Sequence, residues 1–102
     1  MASRLQLHNA LIATLGAESV HFQPPESRRL KYPCIIYHLV PGAVRRADDK
    51  AYNYYRCYEV TIIDYDPEVE WDKKMLEDYQ YVSFIRFYTA DNLNHWVFKL
   101  YY

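Results

Sequence analysis

The sequence predicts an α+β fold of two layers, with two helices covering a mixed, mostly antiparallel sheet of four to five strands and a long protruding β-hairpin. The 102 residues suffice for one hydrophobic core, so a single domain over residues 1–102 is expected. Apolar runs with strand periodicity outnumber the two stretches with helical spacing. Two helices in such a chain are expected to cover one face of the sheet.

A helix is predicted at the N-terminus. Ser3 and Gln6 have the spacing of a capping box, and Gly16 is suited to the left-handed conformation that ends a helix. The apolar positions expected to face the sheet are Leu5, Leu11, Ile12 and Leu15. The polar positions expected to face solvent are Gln6, Asn9 and Thr14.

Two strands of different kinds should follow this helix. "SVHFQ" (19–23) is typical of a short edge strand, because the prolines that stop it, Pro24 and Pro25, donate no hydrogen bond to a sheet. "YPCIIYHLV" (32–40) is apolar at both alternating positions, which predicts a central strand covered on both faces.

A protruding hairpin is the next expected feature. The charged stretch 41–51, "PGAVRRADDKA", predicts a long loop or hairpin tip, and "YNYYRCYEVTIIDY" (52–65) alternates as a strand does, with Tyr54, Tyr58, Val60 and Ile62 on one face. A strand over 52–63 would be about 40 Å long at ~3.3 Å per residue. A globule of this size is only about 33 Å across. The hairpin should therefore extend beyond it.

The C-terminal third predicts a second helix and two closing strands. Asp66 and Pro67 suit the cap and first position of the helix, and its inward face is expected to comprise Val69, Leu76 and Tyr79. The strands "YVSFIRFYTA" (81–90) and "HWVFKLYY" (95–102) are joined by the tight turn "DNLN". The residues expected to contribute to the core are Phe84 to Tyr88, Trp96, Phe98 and Leu100.

Tyrosine is unusually abundant, with twelve residues in the chain. Each phenol has a hydroxyl that needs a partner, so several rings should lie at the surface. Tyrosine is enriched at protein interfaces, which favours an interaction surface. The alternative is that tyrosine serves simply as a strand residue on a solvated face.

Charge and hydropathy exclude some classes of function. The net charge of −1 and the pI near 6.4 give no overall attraction to nucleic acid or to an anionic membrane. The N-terminal stretch resembles neither a spanning helix nor a signal peptide, so folding in a cytoplasm is expected. The basic cluster Arg28, Arg29 and Lys31 could contact phosphate, but a solvated loop or a rim between subunits is favoured.

Catalytic and metal-binding patterns are weak. The best metal candidate is Cys34 and His38 on one strand with Cys57 on the next, but two buried, reduced thiols are the favoured interpretation, with an accidental disulfide as an alternative. Asp64 and Asp66 share one strand face and could hold Mg²⁺, yet Asp66 is already needed as a cap. We therefore expect no enzymatic activity, no cofactor and no metal.

The order of several motifs resembles the small tail terminator, or tail completion, proteins of long-tailed bacteriophages. The motifs are "VHFQPPES", "LKYPCIIY", "TIIDYDPE" and "SFIRFYTADNLNHWVFKLYY". The resemblance implies a mixed sheet flanked by helices and a hairpin that becomes ordered on ring formation. It also implies a virion protein of the neck, forming a hexameric ring at the head-proximal end of the tail tube. Such a ring ends tube polymerisation and contacts the tail tube protein and the head connector.

Two alternatives to this role stay open. One is a head-closure adaptor of the same neck, and the other is a small binding module that contacts DNA through basic loops without sequence specificity. In the assembly hypothesis, residues 41–51 and the 23–32 loop contact neighbouring subunits. The predicted interface residues are Pro24, Pro25, Arg28, Arg29, Lys31, Arg45, Arg46, Asp48, Asp49, Tyr52, Tyr54 and Tyr55.

Overall fold

A computed structural model describes residues 4–24, 30–46 and 54–102, with the backbone alone for residues 41–46 and 54. Two helices and five strands follow one another along the chain. They are α1 (Arg4–Leu15), β1 (Val20–Phe22), β2 (Cys34–Arg46), β3 (Tyr54–Asp64), α2 (Trp71–Asp78), β4 (Val82–Ala90) and β5 (Leu93–Tyr101). Of the helices described, none is long and apolar enough to cross a membrane.

The five strands form one open sheet in the order β1-β2-β3-β5-β4. β1 runs parallel to β2, and the other neighbouring pairs are antiparallel. This arrangement confirms the predicted α+β class and the mixed, mostly antiparallel sheet. β1 is an edge strand, as its prolines predicted, and β4 forms the other edge.

The core lies between the helices and one face of the sheet. On the sheet it is formed by alternate residues of β2, β3 and β5 together with Val20 of β1, because every second side chain of a strand points to the same face. The buried strand residues of this cluster are Val20, Ile35, Tyr37, Tyr58, Val60, Ile62, Trp96, Phe98 and Leu100. The predicted alternation of β3 and β5 is thus confirmed at these positions.

The first helix ends where predicted but buries a different stripe. Gly16 follows α1 with φ +76°, and its N–H donates to the carbonyl of Ile12. The buried residues are Leu7, Leu11, Thr14 and Leu15. Leu5 is 61% exposed, so its predicted inward orientation is wrong. Thr14, predicted to face solvent, is buried because its hydroxyl bonds to the side chains of Asp78 and Tyr79.

The second helix begins later than predicted. Asp66 does not cap it, because its Oδ1 instead accepts the Glu68 N–H at 2.9 Å in a turn before the helix. α2 starts at Trp71, after Glu70, which makes no side-chain cap bond. Leu76 is 54% exposed, so its predicted inward orientation is also wrong.

α2 presents Trp71 and Met75 to the core, and neither was predicted to face it. Tyr79, just after the helix, is buried as predicted. Val69 packs against the core from the preceding turn, as predicted.

The central strand β2 is covered fully on one face only. Ile35 and Tyr37 are buried against the helices, whereas on the opposite face Cys34 is buried, Ile36 is half-buried and His38 is exposed. The prediction of burial on both faces is therefore wrong beyond Cys34, because both helices lie on the same side of the sheet.

The strands β2 and β3 form an antiparallel pair that continues to Arg46 opposite Tyr54. The predicted loop at 41–51 is wrong for residues 41–46, which extend β2. The register shifts between Leu39 and Val44, where Pro41 and Gly42 interrupt the regular ladder. The predicted tip at 47–51 lies outside the described residues, so a protruding hairpin stays a prediction.

The turn between β4 and β5 is as tight as predicted. Asp91 and Asn92 have φ values of 53° and 61°, and Ala90 pairs with Leu93 across them. Two consecutive left-handed residues are typical of the type I′ turn, for which Asp and Asn are well suited.

A polar contact beneath α1 joins the helix to β2. The hydroxyl of the fully buried Tyr37 lies 2.8 Å from His8 Nδ1, and Arg4 donates to the same oxygen at 3.2 Å. Burial, and next the charge of Arg4, lowers the pKa of His8 below its usual value of 6.5. His8 therefore favours the neutral form, in which Nδ1 can accept the Tyr37 proton.

Stability should depend on pH through His8. The unfolded chain binds a proton at His8 more readily than the folded chain, so the free energy of unfolding should fall as the pH drops below about 6.5. Urea denaturation of His8→Asn, whose amide oxygen can accept the same bond, should show a weaker pH dependence between pH 7 and 5. Identical dependence in the variant and the wild type would contradict this assignment.

Candidate functional site

The edge strand β4 is the most exposed apolar element of the described chain. It pairs with β5 on one side, and every residue from Ser83 to Ala90 is exposed. Its large apolar side chains have similar exposed fractions: Phe84 43%, Ile85 47%, Phe87 46% and Tyr88 40%. The prediction that Phe84 to Tyr88 form part of the core is therefore wrong.

A β-bulge presents these side chains on both faces of the strand. Phe84 pairs with Phe98 and Arg86 with Val97, so Ile85 is the extra residue of the bulge. Phe84 and Phe87 consequently both lie on the helix side of the sheet, where their rings contact those of Phe98 at 5.4 Å and Trp96 at 5.1 Å.

The opposite face of β4 is also aromatic. Tyr88 stacks on His95 with ring centroids 4.5 Å apart, and the guanidinium of Arg86 lies 5.8 Å from the centre of the Tyr88 ring. Arg86 is the one charged residue of this nine-residue strand, which contains no proline. Natural edge strands are commonly protected by charges, prolines or bulges, and β4 has little of this protection apart from its bulge.

A tyrosine-lined cavity of about 250 Å³ opens at one end of the sheet, where β3 begins, β5 ends and α2 leads into β4. In its wall, the ring centroids of Tyr55 and Tyr81 lie 5.1 Å apart, and those of Tyr79 and Tyr102 lie 6.2 Å apart. Asp78, Gln80 and Tyr101 complete the wall of the cavity. Burial raises the pKa of Tyr79 to about 12, so this phenol stays neutral at ordinary pH.

The structure describes only part of the predicted interface. Pro24 lies two residues after the end of β1 and is half-buried. Lys31 is exposed, and its carbonyl accepts the Ser19 hydroxyl at 2.8 Å. Tyr55 is half-buried in the wall of the tyrosine-lined cavity. The described contacts do not bring these three side chains together in one site.

The other predicted interface residues are described less fully. Arg45 and Arg46 are backbone register partners of Tyr55 and Tyr54 at the end of the strand pair. The residues outside the described ranges are Pro25, Arg28, Arg29, Asp48, Asp49 and Tyr52.

The candidate metal ligands are not brought together. Cys34 pairs with Ile63, whereas Cys57 lies six positions earlier on β3 and pairs with Tyr101 of β5. Six strand residues span about 20 Å, which also excludes a disulfide between them. In the described ranges both cysteines are free and buried, and no group of three or more His, Cys, Asp or Glu could hold a metal ion.

The two cysteines have the character of apolar core residues. Burial, and next the nearby Asp64 carboxylate, raises the pKa of Cys34 to about 12, and burial also raises the pKa of Cys57. Both thiols therefore stay protonated near neutral pH, as expected for small buried groups.

Asp64 has a structural role in this fold. Its Oδ2 accepts the indole N–H of the buried Trp71 at 2.9 Å, and its Oδ1 accepts the Asp66 N–H at 3.2 Å. The carboxylate thus positions the start of α2. Asp66 is exposed and makes its bond to Glu68, so the two carboxylates do not act as a pair.

The sequence patterns predicted neither the exposed apolar edge of β4 nor the tyrosine-lined cavity. The apolar residues of β4 have the composition of a core strand, and only the strand order places them at an edge. The cavity combines residues from β3, α2, β5 and the connection before β4, which are distant in sequence. The abundance of tyrosine was the one signal that pointed to exposed rings.

Comparisons with protein-family models, with curated proteins and with solved structures give no match to this chain.

Proposed function

We propose that this protein is a structural subunit of the neck of a long-tailed bacteriophage. It assembles into a homo-oligomeric ring, hexameric by resemblance to tail terminator proteins, at the head-proximal end of the tail tube. The ring ends tube polymerisation and joins the tail tube protein to the head connector, with a structural role in the virion and no catalytic one. The observation that carries the proposal is the exposed apolar edge strand β4.

The β4 edge has the properties of a subunit contact. An edge strand offers unpaired N–H and C=O groups for hydrogen bonding, and β4 adds four large apolar side chains that are each at least 40% exposed. Covering these side chains removes apolar surface from water, which favours association. A second copy of the chain is the occupant that the proposed ring requires.

The positions of the two sheet edges suit a ring. β1 and β4 lie at opposite ends of the strand order, so one copy can contact two neighbours through different surfaces. Contacts between two different surfaces generate closed rings or filaments, whereas a β4-to-β4 contact would generate a two-fold dimer. The 23–32 loop follows β1 in the chain, with residues 25–29 outside the described ranges, and is proposed to meet the neighbour's β4.

Assembly should be lost when a charge is placed on the β4 edge. We expect wild-type protein to form larger species with increasing concentration in sedimentation velocity, and electron microscopy to show rings. Phe87→Lys should remain monomeric, because docking would bury the new ammonium group without a partner. The side chain of Phe87 is already 46% exposed, so the variant should fold.

Leu76→Lys is the matched control for this experiment. Leu76 is 54% exposed on α2 and is not part of β4, so the same type of change outside the edge strand should leave assembly intact. A wild-type chain that stays monomeric at every concentration would contradict the ring. Assembly of Phe87→Lys that equals the wild type would contradict the role of β4.

A further inference from the structure

The tyrosine-lined cavity combines aromatic rings with a carboxylate. Its wall is formed by Asp78, Gln80 and five tyrosines, which are Tyr55, Tyr79, Tyr81, Tyr101 and Tyr102. The face of an aromatic ring is electron-rich and attracts cations within about 6 Å of the ring centre. Several such rings beside one carboxylate make an environment that favours an organic cation over a neutral or anionic group.

The backbone adds further negative potential at this place. Asp78 is the last residue of α2, and its Oδ2 accepts the hydroxyl of Thr14, from the last turn of α1, at 3.0 Å. The C-terminal ends of both helices therefore meet beside the cavity, and neither helix has a basic residue in its last turn. Helix C-termini carry partial negative charge, which a cation would stabilise.

The described residues supply no ion pair for this carboxylate. The ion pairs found within 4–24, 30–46 and 54–102 join His38 to Glu59 and Lys73 to Glu70. Asp78 keeps acceptor capacity after its bond with Thr14, because a carboxylate can accept several hydrogen bonds.

We propose that this cavity binds the guanidinium group of an arginine side chain presented by a partner polypeptide. A planar guanidinium can stack on tyrosine faces and donate two parallel hydrogen bonds to one carboxylate, whereas an ammonium group does neither. The volume of about 250 Å³ fits one long side chain and is below the roughly 300–1,000 Å³ of typical small-molecule sites. The arginine of the partner supplies the positive charge that balances the Asp78 carboxylate and the partial negative charges of the two helix C-termini.

The site can be tested without any assembly. The Phe87→Lys chain is used at a concentration where sedimentation velocity shows a monomer, because Phe87 does not line the cavity. We expect titration with Nα-acetyl-arginine amide to give saturable NMR shifts at the amides of Asp78 to Tyr81 and of Tyr101 and Tyr102. The citrulline analogue, which has the same shape without the charge, should bind at least about tenfold more weakly.

Two variants assign the binding to the cavity. Asp78→Asn should weaken the binding of Nα-acetyl-arginine amide about tenfold or more, because it removes the charge while keeping a similar shape. Asp72→Asn, at the other end of α2, is the matched control and should bind as the parent does. Equal binding of the citrulline analogue, unchanged binding by Asp78→Asn, or no saturable shifts in any of these chains would overturn the proposal.

One competing occupant lies on the same chain. Arg45 is the backbone register partner of Tyr55, which lines the cavity. If the arginine probe binds only after Arg45→Gln, the cavity is occupied by this chain's own arginine. That result would overturn the proposal that a partner polypeptide supplies the guanidinium group. Equal binding of the arginine probe with and without Arg45→Gln supports a partner polypeptide as the source of the arginine.

Discussion

Phe98→Ala is expected to lower the free energy of unfolding by about 3–5 kcal/mol. Phe98 is fully buried, and it lies on β5 between β3 and β4, facing the helices. Truncation removes the transfer free energy of the ring and leaves a cavity that the paired strands cannot fill by moving. Urea denaturation followed by tryptophan fluorescence, at a concentration where the chain is monomeric, measures the effect.

Phe84→Ala is the matched control, because it truncates the same residue type directly across the strand pair. Phe84 is 43% exposed, and its ring contacts Phe98 at 5.4 Å. Loss of the Phe84 ring should lower the free energy of unfolding by only about 1 kcal/mol, because it removes the ring contact and part of the buried area. It should nevertheless weaken assembly, because it lies on the β4 edge.

The comparison of these two variants separates stability from assembly. Equal losses of stability would contradict the assignment of Phe98 to the core and of Phe84 to a free surface. If Phe98→Ala does not fold, Phe98→Leu provides a milder truncation at the same position and should still cost more than Phe84→Ala.

Asp64→Ala is expected to lower the free energy of unfolding by about 2–3 kcal/mol, because it leaves the buried indole N–H of Trp71 without an acceptor. The 2.9 Å bond between these side chains connects the end of β3 to the first residue of α2. Asp66→Ala is the matched control, since it removes an exposed carboxylate of the same turn that accepts one backbone N–H. We expect that control to cost less than about 1 kcal/mol.

A double-mutant cycle tests the origin of this effect. In a Trp71→Phe background no indole N–H needs an acceptor, so Asp64→Ala should cost clearly less than in the wild type. Coupled residues of this kind typically show an interaction free energy of about 0.5–3 kcal/mol. Strict additivity of the two substitutions would show that Asp64 stabilises the chain through other contacts.

Periodicity and turn chemistry predicted much of the fold. Alternation placed Tyr58, Val60 and Ile62 on one face, and the structure buries all three. Gly16 and the Asp91-Asn92 turn take the left-handed conformations expected of their residue types. These features are local, since they depend on the chain within a few residues of each position.

The errors have two physical causes. Leu5 and Leu76 are apolar at helical spacing but exposed, because the sheet covers only one stripe of each helix. Asp66 has the residue type of a cap, yet its carboxylate bonds within the preceding turn and leaves Trp71 as the first helical residue. Packing against distant segments decides which stripe of each helix is buried, whereas a hydrogen bond within its own turn decides the position of Asp66.

The candidate surfaces depend most strongly on tertiary structure. Phe84 and Phe87 have the residue types of a core strand, and the strand order exposes them at an edge. Tyr55, Asp78 and Tyr102 surround one cavity although they come from three elements of the fold. Neither grouping leaves a periodic signal in the chain.

The sequence by itself determined the α+β class, the predominance of strands and the main turns, because periodicity and turn residues act over short distances along the chain. The tertiary structure alone decided that the apolar strand β4 lies at a sheet edge and which tyrosines converge beside a carboxylate. These outcomes arise from the order in which strands pair and from the side of the sheet that the helices cover, and both depend on contacts between residues far apart in sequence.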